Sequence, residues 1–374
     1  MTETQLNIPK GAILFSRGGV AYEFREHLNE GPHGFQWLLA RERTPEGPQG
    51  TVLLKCVGPW SDQPATRLFK ARARLEQEVR LATYLEHPGI VRIHGLHKQE
   101  GTWYVITEHP AANSLTDLLT LAMESDRCFS PELVLHVGVQ VADVLHHAHT
   151  RTDEHGRALG IVHRALNPDL LWMDWRGRVR VADFGMALST LPGRVVSTVR
   201  RPQGDSYFAS PEMLLGGRVD ARSDLFALGL VLLELSTGYH LLDVPEGVSG
   251  EAKAAVSSGM RRRVGRAIER ARGVDCLDAV DEIIWRAATY TPQDLDGLTE
   301  GLPRALKSIV CRLLQRPRTE RFQSAGQLAS TLREALGTGF GEHEATAELR
   351  ALARAGDERL VQLATPRPTT QGSA

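Results

Sequence analysis

The sequence predicts an α+β protein in which a small strand-rich unit with one main helix precedes a larger, mostly helical unit. Two observations support this division. Before Ser114, short apolar runs alternate with polar loops that contain proline and glycine, a pattern typical of strands. After Ser114, apolar residues recur at helical spacings instead. The chain has 374 residues, 42% of them hydrophobic, so it is long enough for one large two-part structure.

Composition excludes several classes of protein. A formal net charge of −1 argues against a protein whose whole surface binds nucleic acid. The four cysteines, Cys56, Cys128, Cys276 and Cys311, are too scattered for a zinc ribbon or a disulfide framework, so we expect reduced thiols. The longest strongly apolar run, Leu225–Leu233, is far shorter than the ~18 residues of a membrane span, and no signal-peptide pattern is present. We therefore expect a cytoplasmic protein that binds neither membrane nor nucleic acid.

The first unit is expected to contain two strand pairs and one helix. Residues 1–19 show no strong period and are predicted to be a lead-in. The helix is predicted over residues 66–86, and His87-Pro88-Gly89 ends it because proline cannot continue a helix. The predicted strands are Gln36–Ala40 and Val52–Val57, separated by a loop at Arg41–Gly50, and then Ile90–His94 and Trp103–Glu108.

The second unit is predicted to be mainly helical. Pro131–His149 is expected to form a helix because Ser130 is a good N-cap and proline is favoured at the first helical position. Arg222–Leu235 is apolar on nearly every side, which indicates a helix at the centre of the unit. The remaining predicted elements are strands Leu171–Asp174 and Val179–Ala182, helices 251–272, 275–289, 303–315, 324–336 and 341–363, and a disordered tail at 364–374.

A series of short motifs runs through both units in a fixed order. They are Gly31 and Gly34 in LNEGPHG, Lys55 at the end of VLLK, Glu78, His163-Arg164 in HRALNPDLL, Asp183-Phe184-Gly185, Ser210-Pro211-Glu212, Asp224 in SDLFALG, and Arg321. In these motifs, residues 20–336 resemble the bacterial branch of the eukaryotic-type (Hanks-type) protein serine/threonine kinases. The resemblance implies a bilobal kinase fold, with an N-lobe at 20–109, a C-lobe at 110–336 that carries an insertion around 244–300, and a helix and tail at 337–374.

In this family, phosphoryl transfer depends on a small set of charged groups. The resemblance implies that Lys55 contacts the ATP phosphates and pairs with Glu78, and that Asp183 holds Mg²⁺. It also implies that Gly31 and Gly34 belong to the loop that covers the phosphates. The resemblance further implies structural roles. Glu212 and Arg321 would form an ion pair, and Asp224 would hold the backbone of the catalytic loop. The other structural residues belong to the motifs around the site: His163, Arg164, Phe184 and Gly185.

The chain departs from the family where the chemistry takes place. Aligned on the family motif HRDLKPEN, Ala165 replaces the catalytic aspartate, Asn167 the loop lysine and Leu170 the metal-binding asparagine. General-base catalysis alone contributes about 10²–10⁴-fold, and phosphoryl transfer relies further on charge neutralisation. Asp169 occupies a position that normally points elsewhere, so we do not expect it to replace the lost base. We therefore expect no catalytic residue in this loop.

The predicted adenine slot is altered as well. Leu53 replaces the alanine of its roof, Gln36 the valine that follows the glycine loop, and Trp172 the leucine of its floor. Pro110 stands at the third hinge position and has no backbone N–H to donate to adenine. These changes predict a slot filled by the protein's own side chains, whose packing substitutes for that of a nucleotide.

These observations predict a catalytically inactive kinase-like protein, a pseudokinase, that acts as a scaffold or allosteric regulator. Its expected partners are other signalling proteins, such as an active kinase, and no cofactor is expected. On this interpretation, Lys55, Glu78 and Asp183 remain as an ion-pair network that stiffens the contact between the lobes. The alternative is an atypical, weakly active serine/threonine kinase that still binds ATP and Mg²⁺ through Lys55 and Asp183.

Two groups of residues outside the motifs have alternative interpretations. Arg262, Arg266 and Arg270 share one helical face, which is either a docking patch for an acidic or phosphorylated partner or a solvated surface. The activation segment is either a flexible loop or a phosphorylation target whose phosphate Arg164 would receive. Its candidate acceptors are Ser189, Thr190, Ser197 and Thr198.

The histidines and the tail helix complete the sequence-based expectations. No acid or cysteine is spaced to complete a metal site with the nearby histidines, so no metal is expected there. These histidines are His146, His147, His149 and His155. The apolar face of the tail helix packs on the large lobe or binds a partner, and the sequence does not separate these alternatives. It consists of Leu349, Leu352, Leu360 and Leu363.

Overall fold

The first lobe is a curled antiparallel sheet with one helix. The computed structural model describes residues 8–31, 34–59, 65–192, 205–272 and 280–364. The elements of this lobe are β1 (Ile13–Arg17), β2 (Val20–Gly31), β3 (Phe35–Thr44), β4 (Gly47–Val57), α1 (Ala65–Ala82), β5 (Ile93–Gln99) and β6 (Thr102–Glu108). The strands lie in the order β1-β2-β3-β4-β6-β5, and every neighbouring pair is antiparallel.

The strands extend further than the sequence predicts. β1 lies inside the predicted lead-in, and β3 and β4 run through the predicted loop Arg41–Gly50 to a tight turn at Pro45-Glu46. These outer strand segments are exposed or half-buried and therefore carry polar side chains instead of an apolar run. The prediction of a loop at Arg41–Gly50 is wrong for this reason.

The two faces of the sheet build two separate cores. One face packs apolar residues such as Leu38 and Leu54 away from the second lobe. The other face packs Phe35 and Val57 against Leu75 of α1. Successive residues of a strand point to opposite faces of the sheet, so every second residue of β3 and β4 can reach the cleft between the lobes.

The second lobe is mostly helical, as predicted, and contains a small three-stranded sheet of which the sequence predicts two strands. α3 begins after Ser130, whose hydroxyl accepts the Leu133 N–H, and α5 is buried along nearly its whole length. No helix of the described residues combines the length and apolar character needed to cross a membrane. The elements are β7 (Asn113–Ser114), α2 (Leu115–Glu124), α3 (Pro131–His149), β8 (Leu171–Met173), β9 (Val179–Val181), α4 (Pro211–Leu214), α5 (Ala221–Thr237), α6 (Gly250–Ala255), α7 (Ser258–Arg272), α8 (Val280–Thr289), α9 (Pro292–Leu298), α10 (Arg304–Leu313), α11 (Ala325–Leu336) and α12 (Glu342–Ala364).

The predicted helix 251–272 is in fact two helices, α6 and α7. Val256 adopts extended backbone angles at the end of α6, and the Ser257 hydroxyl then accepts the Met260 N–H to begin a new helix. A serine that caps the next turn competes with continuation of the helix. The sequence also missed α9, which a reciprocal capping box between Thr291 and Asp294 starts.

The last helix, α12, packs on the large lobe. Glu348 accepts the backbone N–H and the hydroxyl of Ser130 at 2.7 and 2.5 Å, and Leu349 and Leu352 are buried. A Cβ added to Gly177 would collide with Ala345, so that glycine permits the close approach of the two segments. The structure thus favours packing over a free partner helix for this face. Leu360, Leu363 and the predicted tail lie outside the described side chains.

Candidate active site

A buried cluster of three charged side chains joins the two lobes. The Nζ atom of Lys55 on β4 lies 3.0 Å from Glu78 Oε2 on α1 and 2.7 Å from Asp183 Oδ1, which follows β9. Lys55 is 3% exposed. Burial alone would lower the pKa of Lys55, but the two carboxylates outweigh it and raise that pKa above its ordinary value.

The two carboxylates of this cluster respond differently to burial. Burial raises the pKa of Glu78 to about 7, although Lys55 acts against that rise. For Asp183, burial is outweighed by the Lys55 ammonium, which holds the pKa of that carboxyl below its ordinary value. At neutral pH the charge of Lys55 is therefore balanced first by Asp183.

Local backbone geometry explains the position of Asp183. Its φ of 55° is left-handed, and its Oδ1 accepts the Gly185 N–H at 2.9 Å. A Cβ on Gly185 would lie 2.5 Å from Glu78 Oε2 and 2.7 Å from Lys55 Nζ. Only glycine fits at this position, because the surrounding atoms are buried and paired.

The catalytic loop is tied to the centre of the large lobe. Asp224, near the start of α5, accepts the backbone N–H groups of His163 at 2.8 Å and Arg164 at 2.9 Å. The His163 ring contacts Phe184 edge-on with a centroid distance of 4.5 Å. Burial would raise the pKa of Asp224, but His149, the His163 ring and the Arg164 N–H lower it. The loop is thus held in place by a carboxylate that stays ionised.

A second buried ion pair holds the end of the activation segment, which precedes α5. Arg321 donates two parallel hydrogen bonds of 2.9 Å to the carboxylate of Glu212 on α4. Ser223 donates a third bond to Glu212 at 2.6 Å. Arg321 has no exposed surface. The pairing expected from the resemblance is therefore present in the fold.

The three departures in the catalytic loop leave no acid in place of the missing aspartate. Ala165 is 8% exposed and carries no polar side chain. Asn167 is tied to the backbone, since its Oδ1 accepts the Leu170 N–H at 3.1 Å. Asp169 accepts the hydroxyl of Thr116 at 2.5 Å, on the side of α2. The loop is an ordered turn in which an alanine, Ala165, occupies the position of the family's catalytic aspartate.

The activation segment is described only at its two ends. Arg164, the predicted phosphate receiver, donates from Nε to the Met186 carbonyl at 2.8 Å. Thr190 donates its hydroxyl to the Ala158 and Leu159 carbonyls. The candidate acceptors Ser197 and Thr198 lie outside the described residues, so phosphorylation of this segment stays a prediction.

The cleft continues into a groove behind the hinge, Glu108–Pro110. One continuous cavity of about 1620 Å³ is lined in the cleft by Leu53, Pro110 and Trp172 and extends behind the hinge to His147. The His109 and Trp172 rings stand edge to face at 6.3 Å. Because the volume includes the rear groove, it does not measure the adenine slot, and filling of the slot stays a prediction.

Gln36 does not face the cleft, so its predicted place in the slot is wrong. Gln36 pairs across the sheet with Cys56, on the face that packs away from the second lobe, and its Oε1 contacts His27. The cleft-facing position belongs to Trp37, which pairs with Lys55 and lines the cavity. The sequence missed Trp37 because counting from the glycines does not fix the register of β3. Two register shifts between β2 and β3 precede it.

The glycine-loop residues occupy the junction of β2 and β3. Gly31 pairs with Phe35, and Gly34 has a left-handed φ of 75°. A side chain at Gly34 would be strained by that backbone conformation. The residues between the two glycines lie outside the described range.

The side chains present do not fit the full ATP and Mg²⁺ arrangement of an active kinase. Leu170 offers no oxygen for a second metal, and Asp183 shares its Oδ1 with Lys55 and the Gly185 N–H. One carboxylate remains where such kinases use an aspartate and an asparagine. In the described residues, no group of three or more His, Cys, Asp or Glu side chains is placed to hold a metal.

Comparison with known proteins identifies the family of this two-lobed fold. The protein kinase domain family matches residues 49–331, more than half of the chain. The chain belongs to the protein kinase family. Similar proteins include the tyrosine-protein kinase MasK of Myxococcus xanthus, 32% identical over 234 residues (62% of this chain and 35% of that protein). The serine/threonine-protein kinases PrkC of Bacillus subtilis and PknB of Mycobacterium leprae are 30% and 28% identical over 176 and 169 residues (47% and 44% of this chain, 25% of each protein).

These comparisons confirm the predicted resemblance to bacterial protein kinases. The chain spans about a third or less of the length of these curated relatives. The family match begins at residue 49, after the segment that holds Gly31, Gly34 and Trp37. The match therefore leaves out β3, the strand that pairs with the Lys55 strand.

Proposed function

We propose that this member of the protein kinase family does not transfer phosphate and acts as a signalling scaffold or allosteric regulator through protein contacts. The catalytic loop carries this proposal. It is held by Asp224 in a defined position, yet Ala165, Asn167 and Leu170 replace the base, the lysine and the metal ligand. A protein selected only to bind other proteins would keep the fold around the catalytic loop and could lose the catalytic side chains themselves.

The first test is phosphoryl transfer by the purified chain. With radiolabelled ATP and Mg²⁺ or Mn²⁺, we expect autophosphorylation and transfer to a generic protein substrate at least about 10²–10⁴-fold below those of an active bacterial kinase assayed in parallel, because the general base is missing. Asp183→Asn is the matched control. Phosphate incorporation that disappears in this variant would contradict the proposal and support an active enzyme.

A weakly active kinase is the second candidate, and one observation favours it. The Lys55–Glu78 and Lys55–Asp183 pairs are both assembled, and an active protein kinase needs the lysine–glutamate pair in place. The two candidates differ in nucleotide binding. Saturable binding of ATP with Mg²⁺ that depends on Lys55 and Asp183 would support the second.

The proposed partner surface is the outer face of α7. This helix contains six arginines and one glutamate. Arg263 donates to the Leu215 carbonyl, and the Arg270 guanidinium lies against Gly216, so both are committed to the fold. Arg262 and Arg266 are exposed and one turn apart. The Arg266 carbonyl accepts a hydrogen bond from Arg270 Nε at 2.9 Å, but neither guanidinium group makes a hydrogen bond or ion pair with another described residue. The accessible patch is therefore narrower than the predicted set of three.

Reversing the charge of this patch tests its role. In quantitative pull-downs, Arg262→Glu with Arg266→Glu is expected to lose an acidic partner that the wild-type chain retains, with binding at least about tenfold weaker, because like charges would then face each other. Arg304→Glu with Arg350→Glu changes the same charge on exposed residues elsewhere. If both double variants lose partner binding equally, the net charge of the protein explains the loss and the α7 patch does not. If both double variants bind the partner as the wild-type chain does, the patch is not the partner surface.

A further inference from the structure

The ammonium group of Lys55 is enclosed by the protein itself. Two of its neighbours are the carboxylates of Glu78 and Asp183, at 3.0 and 2.7 Å. Two more are aromatic: its Nζ lies 4.9 Å from the centre of the Phe35 ring and 5.4 Å from that of the Trp37 ring. With 3% of the side chain exposed, no side of the cation is open to the cleft.

Three of these four neighbours, Glu78, Asp183 and Trp37, line the cavity, and of the three only Trp37 belongs to the sheet that forms its roof. Phe35 is buried in the core beneath α1. Trp37 is half-buried, lines the cavity and stands directly opposite Lys55 in the sheet. Leu53, two residues before Lys55 on the same face of β4, lines the same cavity. The indole therefore lies beside the cation on the roof side of the space that a nucleotide would enter.

We infer that Trp37 is the specificity-determining residue that excludes nucleoside triphosphates from this cleft. Its indole face takes the place of a phosphate beside Lys55, since an aromatic face attracts a cation. A triphosphate would have to displace the ring and break the contacts of the cation before it gained any of its own. This inference deepens the proposed function, because it explains how the Lys55 cluster stays assembled without nucleotide.

A small branched side chain at this position would open the path to Lys55. Trp37→Val removes most of the ring volume and keeps a residue that suits a strand. The cation would then face the cavity on one side, and a phosphate group could approach it. Trp37→Phe keeps an aromatic face and is expected to remain closed.

The experiment titrates each purified full chain with a fluorescent ATP analogue and Mg²⁺, with unlabelled ATP as competitor. We expect no saturable binding by the wild-type chain up to about 1 mM, and binding at least about tenfold tighter than that limit by Trp37→Val. The double variant Trp37→Val with Lys55→Met should lose the ATP binding that Trp37→Val alone acquires. Trp175→Val removes an exposed tryptophan outside the cleft and should behave as wild type. Circular dichroism verifies folding, and Trp37→Leu replaces Trp37→Val if the latter does not fold.

Two outcomes would overturn the inference. Equal binding by the wild-type chain and Trp37→Val would show that the indole does not block the site. Absence of binding in both would show that other groups, such as Leu53 or Trp172, close the cleft without Trp37. Neither outcome touches the proposed lack of phosphoryl transfer, which depends on Ala165 and is measured separately. A Trp37→Val chain that binds ATP should still transfer no phosphate.

Discussion

Replacing Lys55 with methionine is expected to lower the free energy of unfolding by about 3–5 kcal/mol, the usual cost of removing one partner from a buried ion pair. The variant leaves Glu78 and Asp183 as two buried carboxylates close to one cation site that is now empty of charge. Their mutual repulsion and their desolvation would both act against folding. If Lys55 served only to bind nucleotide, stability without nucleotide would change little.

Urea unfolding of the two chains measures this loss. Lys98→Met is the matched control, because Lys98 also pairs with a glutamate of α1, Glu76, but at the surface. Exposed pairs contribute about 0–1 kcal/mol, so the control should lose no more than that. A loss below about 1 kcal/mol in Lys55→Met would contradict a structural role for the cluster.

The stability lost by Lys55→Met should depend on pH with a definite sign. Burial raises the pKa of Glu78 to about 7 even beside Lys55, and the pKa would rise further without the cation. The folded variant would then bind a proton that the unfolded chain, with a carboxyl near its ordinary pKa of 4.5, releases. Its stability should therefore fall as pH rises above that value, and the deficit should be smaller at about pH 5.5 than at about pH 8.

Replacing Arg321 with methionine is expected to cost a similar amount, about 3–5 kcal/mol. Arg321 is fully buried and holds both oxygens of Glu212. It also donates to the carbonyls of Gln315 and Arg316. Methionine fills part of the volume but leaves the carboxylate without its cation and the carbonyls without donors.

A double variant separates the charge effect from loss of packing. Glu212→Leu with Arg321→Met removes both charges, so it should recover part of the stability that the single variant loses. Arg333→Met, which breaks an exposed pair with Asp143, should cost no more than about 1 kcal/mol. If the double variant is less stable than Arg321→Met, the unpaired charge of Glu212 is not the main cost.

Helices with local start signals could be predicted closely from the sequence. Pro131–His149 has the predicted limits because Ser130 and Pro131 mark its start independently of the rest of the fold. The break at Val256 was not predicted, since nothing in the residue types forbids a continuous helix there. The exposed ends of β3 and β4 carry no apolar pattern, so only pairing with their neighbours shows that they are strands.

The candidate site could be predicted by motif but not by register. Lys55, Glu78 and Asp183 meet as expected from their motifs, and Glu212 meets Arg321. The sequence predicts Gln36 at the cleft, whereas Trp37 lies there, because a single-residue change of register moves a side chain to the opposite face of a sheet. Irregular pairing between β2 and β3 decides that register, and it involves backbone contacts that no motif records.

The helix α12 packs on the large lobe, although it lies after the last residue of the family match. We therefore expect the part of the chain that folds as one unit to end after α12. The family match ends at residue 331, whereas Leu349, Leu352 and Gly356 pack against the lobe much further along the chain. A fragment cut at the family boundary would present Leu121, Ser130 and Gly177 to solvent without their cover. The cut would also remove the end of α11 with its buried Leu332. Poor solubility of such a fragment would then report the loss of α12 and of the end of α11 rather than an unstable kinase fold.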